Sequence, residues 1–478
     1  MMENLKIRNK IFALTSLLIL VGCKTPQIVT TESKLQIPNS YNASLDTINS
    51  GKISWKNFYK DKNLNELIDI ALSNNQELSM VLQEIEIAKN DIRVRKGALL
   101  PTVGIAAGTG VEKVGRYTSQ GAGDATTEIM PGEEFPEPLG DYKVAAYAHW
   151  EVDIWKKLRN SKKAALSRYL ATVEGKNFVI TNLVAEIANS YYELLALDNQ
   201  MDIVRKNIEI QKNALEIVKV QKEAARATEL GVQKFQAEVL SSQNMEFQIQ
   251  QQITETENKI NFLLGRYPQE IKRDKQSFVN LTPEKINAGI PSQLLENRPD
   301  VKQAELELEA AKLDVKVARA EFYPSLDITG AFGFQAFKAS YLFRTPESIL
   351  YSLAGDIAAP LINRNAIKAE FKSANSRQIQ ALYNYEKTIL NAYFEVSNHM
   401  SKIKNLEKNI ELKTKQVEAL TNSISISNDL FKYAKADYFE VLMTQRDALE
   451  AQLELVETKK DQLNTVVNIY RDLGGGWK

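Results

Sequence analysis

The chain offers few side chains that could do chemistry. Its 478 residues hold one Cys and two His, so no internal disulfide can form and little material exists for a Cys/His zinc site. No His, Cys or carboxylate constellation stands beside a Gly-rich turn, and no hydrolase, nucleotide or metal motif is present. The expectation is a non-enzyme without a cofactor. Lys+Arg and Asp+Glu balance at 60 each, and a chain with no basic excess lacks the electrostatic footprint for nucleic acid. What remains is the thiol of Cys23, whose chemistry depends on where it sits.

Lys6, Arg8 and Lys10 precede an apolar run over residues 11–21, far shorter than the roughly 20 residues a spanning helix needs. This is the pattern of a removable signal peptide. Leu20-Val21-Gly22-Cys23 resembles the lipobox of bacterial lipoproteins, in which the thiol takes a diacylglycerol and, after cleavage, becomes an N-acylated N-terminus. The alternative is an ordinary signal peptide with a chance Cys. Several acyl chains hold a protein firmly to a membrane where one does not. Lys24 follows the Cys, and the lipoprotein resemblance then implies sorting to the outer membrane.

The elements behind this anchor come in two copies. Ala88-Lys-Asn-Asp-Ile-Arg-Val and Pro101 match Ala311-Lys-Leu-Asp-Val-Lys-Val and Pro324 at one offset of 223. Further on, Tyr191-Tyr192-Glu193-Leu194 matches Tyr393-Phe394-Glu395-Val396 at 202, and Glu229-Leu230-Gly231-Val232 meets Tyr438-Phe439-Glu440-Val441 at 209. Shared order at fixed offsets argues for a duplicated architecture. The expected organisation is a signal peptide with lipobox over 1–22 and a lipid-anchored segment over 23–61. A first repeat over 62–267 and a second over 291–478 flank an equatorial linker over 268–290, which contains Pro268 and Pro283.

Within each copy the period changes. Val103, Ile105, Ala107, Thr109 and Val111 alternate with Thr102 and small residues, and residues 142–154 alternate likewise. The second copy repeats the pair, which places strands at about 101–116, 141–155, 324–338 and 347–360. A strand of about 10 residues crosses a bilayer when tilted, and Tyr142, Trp150, Trp155, Tyr341 and Phe343 fall near strand ends, as in membrane-barrel girdles. A soluble sandwich is the alternative for any one strand. Between the hairpins, Ile180, Val184, Ile187, Tyr191 and Leu194, and later Ile403, Leu406, Ile410, Val417, Leu420, Ile424 and Phe431, recur at coiled-coil spacing. Residues 361–473 contain neither Pro nor Gly, so very long helices are expected, packed as a tube or as a core bundle. Four strands cannot close a membrane barrel, because single-chain barrels begin at about 8 and an open edge cannot sit in lipid. The fold expected is therefore an α+β membrane protein that oligomerises to complete its barrel, two chains supplying about 8 strands and three about 12.

The whole mature chain resembles the TolC-type outer membrane factor family, in its lipid-anchored branch. The resemblance rests on the lipobox, the doubled Ala-Lys-x-Asp helices, Leu263-Leu264-Gly265-Arg266-Tyr267-Pro268, Asn297-Arg298-Pro299-Asp300-Val301 and the terminal Leu473-Gly474-Gly475-Gly476-Trp477. It implies a homotrimer with a 12-stranded barrel in outer-membrane lipid, continued by a periplasmic α-helical barrel. It also implies a duct that works with a periplasmic membrane-fusion adaptor and an inner-membrane RND-type transporter. A lipid-anchored coiled-coil scaffold and a type I protein secretion duct are the alternatives.

The helix-turn-helix tips fall near residues 225–232 and 433–441, where small and short polar residues replace the heptads. By resemblance, Tyr438-Phe439-Glu440-Val441-Leu442 matches the family's tip segment, which makes Glu440 an aperture carboxylate; Met443 stands where a second would be. Three Glu440 around a narrow pore would repel one another or hold a cation between them. A solvated helix charge is the alternative, as helix packing is for Phe431 and Tyr433. Ala227, Thr228, Leu230, Gly231, Ala434, Ala436 and Asp437 are adaptor-contact candidates by location. The acidic stretch 119–141 reads as a solvated extracellular loop.

Overall fold

The computed structural model describes residues 26–28, 33, 35–41, 47–275, 278, 281–360, 364–433 and 435–478. The expected signal peptide, Cys23 and Ala434 lie outside the described residues. The chain forms two compact units, and each draws segments from both repeats. One holds Glu86–Tyr169 and Leu306–Leu382; the other holds Ser33–Ile85, Leu170–Glu305 and Tyr383–Lys478.

The first unit is built on a four-stranded antiparallel sheet. Strands β1 (Thr102–Glu112), β2 (Leu139–Glu151), β3 (Ser325–Ala336) and β4 (Ile349–Ala358) lie in the order β1-β2-β3-β4, so the hairpin of one repeat pairs with the hairpin of the other. The register decides what each face presents. Ile105 lies opposite Ala146, Ala146 opposite Phe332, and Phe332 opposite Tyr351. Because side chains alternate with period 2, this single register puts every apolar set on one side. Val103, Val111, Val144, Trp150, Ile328, Phe334, Leu353 and Ile357 share that face, and it carries no charged residue. Ile105 and Leu353 are 82% and 83% exposed. The opposite face carries Lys143, His149, Glu151, Asp327, Gln335 and Asp356. At the central seam a Cβ on Gly333 would lie 2.2 Å from the Val144 carbonyl oxygen, so the close approach of β2 and β3 requires glycine there. The outer edges of β1 and β4 have no strand partner among the described residues.

All four strands meet their helices at one end of the sheet. There Trp150 Nε1 donates to the Leu99 carbonyl at 3.1 Å, and Trp155 Nε1 donates to that of Pro324 at 2.7 Å. At the other end, the 113–138 connection is more ordered than its acidic composition suggests. It contains a short helix, Ser119–Asp124, capped by the Thr118 hydroxyl, and a small hairpin of Glu128–Met130 with Glu133–Glu134. Arg116 and Lys113 both pair with Glu137, which offsets part of the like-charge repulsion that composition alone counts.

The second unit is helical. Its helices are α1 (Lys62–Asn74), α4 (Glu229–Leu263) and α7 (Tyr438–Asp472). Most of α3 (Lys157–Glu223, 67 residues) and of α6 (Asn365–Lys432, 68 residues) also lies in it; α2 (Gln76–Gly97) precedes β1 and α5 (Pro299–Ala320) precedes β3. With no Pro inside, the i→i−4 ladders of α3 and α6 run without a break. In α1, Leu64, Leu67, Ile68 and Ala71 recur at three- and four-residue spacing and are buried against Ile187, Tyr191, Leu194 and Leu195 of α3 and Val467 and Tyr470 of α7. Asp61 starts α1 by accepting from the Asn63 and Leu64 N–H groups, and its other oxygen accepts from the Tyr191 hydroxyl at 2.9 Å. The Phe58 and Tyr470 rings stack at 3.9 Å. Among the described residues no helix is long and apolar enough to cross a membrane.

The duplication is written into hydrogen bonds of this unit. Helix α4 ends at Gly265 (φ 66°), where the Gly265 N–H donates to the Phe262 carbonyl and the Arg266 N–H to that of Asn261. Helix α7 ends the same way at Gly474 (φ 85°), with Gly474 donating to Arg471 and Gly475 to Tyr470. Both are left-handed caps with paired backward bonds, a conformation that favours Gly. The Gly265 α-carbon faces the Asn74 carbonyl as that of Gly474 faces Asn297, and 74 and 297 stand at the same offset of 223 as the sequence repeat. Asn75 Nδ2 donates to the Leu263 carbonyl at 2.9 Å, while Arg298 Nη1 donates to that of Asp472 at 3.1 Å. In the second copy the joint is charged as well: Arg298 holds Asp300 with two bonds of 3.0 and 2.7 Å and Glu395 at 2.8 Å, and His399 Nδ1 lies 2.7 Å from Asp472. Burial alone would raise the Asp472 carboxyl, but His399 and Arg471 outweigh it and hold it below the usual carboxylate range. The terminal Gly-rich motif and Asn297-Arg298-Pro299-Asp300 are thus two sides of one joint.

Candidate functional site

The two helix-turn-helix tips share one small core. Val218 of α3, Val232, Phe235 and Val239 of α4 and Val441 of α7 are buried together, with Ala227, Phe431, Tyr438 and Leu442 packed around them. Phe431 therefore serves packing, whereas Tyr433 is exposed. Each turn is fixed by an N-cap. Thr228 Oγ1 accepts from the Gly231 N–H at 3.2 Å to start α4. Asp437 Oδ1 accepts from the Phe439 N–H at 3.2 Å to start α7, and the Glu440 carboxylate reaches back to accept from the Asp437 N–H at 3.3 Å. This is a reciprocal capping box, readable in the sequence as Asp437-x-x-Glu440. Glu440 is exposed, so its carboxylate caps the helix and meets solvent at once.

The remaining candidates divide by burial. Gly231 is buried beneath the Tyr438 ring, where a Cβ would meet ring carbons at 3.6 Å, and Ala227 packs on the tip core. Thr228, Leu230 and Asp437 are exposed, and Ala436 is half-buried. Phe439, not singled out from the sequence, is also exposed, with Lys234 Nζ 5.4 Å above its ring. Hydrogen bonds from Gln233 and Lys222 hold the Glu229 carboxyl below its usual range at the start of α4. The exposed surface of the tip thus includes Leu230, Tyr433 and Phe439, set among charges.

On the polar face of the sheet, Glu151, Asp327 and Asp356 occupy one rung of three neighbouring strands. Like charges directly opposite one another destabilise a sheet. Lys157 offsets this by pairing with Glu151 at 2.5 Å, and the Ser325 hydroxyl donates to Asp327 at 3.0 Å. Among the described residues no His, Cys, Asp and Glu side chains group as a metal-binding set.

The sequence profile of the outer membrane efflux protein family matches residues 67–266 and 290–475. The chain belongs to this family of outer-membrane efflux proteins. The pyoverdine export outer membrane protein OpmQ of Pseudomonas aeruginosa is 29% identical over 89% of this chain and 87% of its own length. The probable outer membrane lipoprotein SilC of Salmonella typhimurium is 24% identical over 98% of this chain and 99% of its own. In fold, the open-state MtrE outer membrane channel of Neisseria gonorrhoeae matches with a TM-score of 0.81 and 22% identity, over 95% of this chain and 98% of that one.

Proposed function

We propose that this chain is the exit duct of a tripartite efflux system, working as a homotrimer with a periplasmic membrane-fusion adaptor and an inner-membrane RND-type transporter. The observation that carries the reading is the sheet: one face free of charge and mostly apolar, the other polar, and both edges without a strand partner among the described residues. Lipid accepts the first face and water the second, but no lipid satisfies the edge N–H and C=O groups of β1 and β4. Other copies must pair with them, and three copies give a closed barrel of about 12 strands whose polar face lines the pore. The duct is passive, and energy enters at the pump. The exposed Leu230, Phe439, Thr228 and Asp437 and the half-buried Ala436 form the adaptor-facing surface of the tip, to which Ala434 also belongs by sequence; half-buried Ala227 and buried Gly231 set its shape. Glu440 contributes a ring of three carboxylates at the narrow end.

The test is the mass of the detergent-solubilised protein by light scattering, followed by planar-bilayer recording. A mass of three chains with single-channel conductance is expected, and a non-conducting monomer overturns the reading. In the same recordings Glu440→Gln should reduce cation preference, since it removes the ring's charge while its amide oxygen can still cap Asp437. Reversal potentials equal to those of the parent protein would remove Glu440 from the aperture.

The anchor is the second part of the proposal: diacylglycerol and an N-acyl chain on Cys23, with no other cofactor. Cys23→Ser is expected to abolish incorporation of labelled palmitate. Label retained on the serine variant would show that the chain is not acylated at this thiol.

A further inference from the structure

The loop joining β3 to β4 sits at the sheet end away from the helices, which on the reading above is the extracellular end. The Phe343 ring packs 5.5 Å from Phe334 and is 68% exposed, so it extends the apolar face beyond the strand. Two cations follow directly. Lys338 Nζ lies 5.7 Å and the Arg344 guanidinium 4.8 Å from the Tyr341 ring, and Phe337 packs on the same ring at 5.5 Å. Neither cation forms an ion pair with a carboxylate among the described residues. Phe337 and Lys338 also line a cavity of about 920 Å³ with Val111, Tyr142, Pro136 and Pro138, and Val111 and Tyr142 belong to the apolar face. Glu133 and Glu134 complete its rim.

We propose that this patch binds the phosphorylated headgroup of an outer-leaflet glycolipid, with acyl chains running down the apolar face. The inference rests on the membrane reading of the strands. An apolar surface that ends in aromatic rings and then in cations matches a lipid in order: chain, interface, anionic head. Tyr341 holds both cations at one level, and a guanidinium fork fits phosphate oxygens with two parallel bonds. The carboxylates of Glu133 and Glu134 oppose the anion from the cavity rim, which gives the surface a sign that can be tested from both directions.

The experiment uses the full chain, delipidated in detergent, with purified lipopolysaccharide, its dephosphorylated form, phosphatidylglycerol and phosphatidylcholine as probes, and reads bound lipid by native mass spectrometry. With each cation contributing near a charged lipid surface, Lys338→Gln with Arg344→Gln should weaken lipopolysaccharide binding by about thirtyfold and abolish the preference for the phosphorylated form. Glu133→Gln with Glu134→Gln should tighten binding. An unchanged preference in the Lys338/Arg344 variant, or phosphatidylglycerol bound as tightly as lipopolysaccharide, overturns the proposal. Each sample is also recorded in a planar bilayer. A conducting channel without lipid preference overturns this site alone, and a non-conducting sample overturns the membrane reading with it.

Discussion

Arg273→Ala should cost about 3–5 kcal/mol of folding stability, a large share of what an ordinary domain possesses. The guanidinium and the Asp198 carboxylate it grips are both almost fully buried, at 4% and 5% exposure. Nε and Nη2 reach the two Asp198 oxygens at 2.5 and 3.0 Å, and Nη1 reaches Glu257 at 2.5 Å and the Ile271 carbonyl at 2.9 Å. Asp198 belongs to α3 and Glu257 to α4, so one side chain from the linker ties both helices of the first repeat. Burial alone would lower the Arg273 pKa; the two carboxylates outweigh it and raise it. Among the described residues, truncation leaves buried Asp198 only Lys275, 3.8 Å away and exposed, to answer it. The cost is that of an orphaned charge rather than the worth of the pair. Accordingly the triple replacement Arg273→Met, Asp198→Leu, Glu257→Met should lose far less than the single one. Guanidinium unfolding of the parent protein and these two variants measures this, and a loss below about 1 kcal/mol for Arg273→Ala would place the triad in solvent-like surroundings.

Gly474→Ala is expected to cost about 2–5 kcal/mol, combining the left-handed penalty with overpacking. At φ 85° a Cβ would stand 2.3 Å from the Asn297 carbonyl oxygen, and neither atom belongs to a flexible side chain that can yield. Gly265→Ala meets the Asn74 carbonyl at 2.4 Å with φ 66°. Because the two joints are the same construction, the two substitutions should lower the thermal midpoint by similar amounts. A neutral Gly474→Ala would mean that the α7 terminus docks elsewhere.

The parts of this fold that repeat with a period were legible in the sequence. Alternation through Val103, Ile105 and Ala107 marks β1, and the heptads from Ile180 mark α3, because each period maps onto one face. The offset of 223 between Ala88 and Ala311 also carries over to Asn74 and Asn297, where it locates equivalent joints. What could not be read is chemistry that changes type between copies. Asn75 and Arg298 do one task at equivalent positions, a side-chain donor to the last carbonyls of a helix, and share no property that alignment by residue type would detect. At the tips, Asp437-x-x-Glu440 was open to reading as a capping box, but its match to a pore segment drew attention to charge instead of to helix starting. The order in residues 113–138 escaped because it depends on Glu137 meeting Arg116 and Lys113 across a loop, and composition counts charges without pairing them.

The open edges of β1 and β4 have a genetic consequence. On the proposed closure from three copies, the duct contains three seams, each using the β1 edge of one chain and the β4 edge of the next. An allele that spoils one edge while leaving the rest folded would enter assemblies made with normal chains and leave a gap that lipid cannot seal. With equal expression of both alleles, only about one assembly in eight would be free of the defective chain under random mixing. Edge-damaging substitutions should therefore be dominant, whereas substitutions that unfold the chain should be recessive.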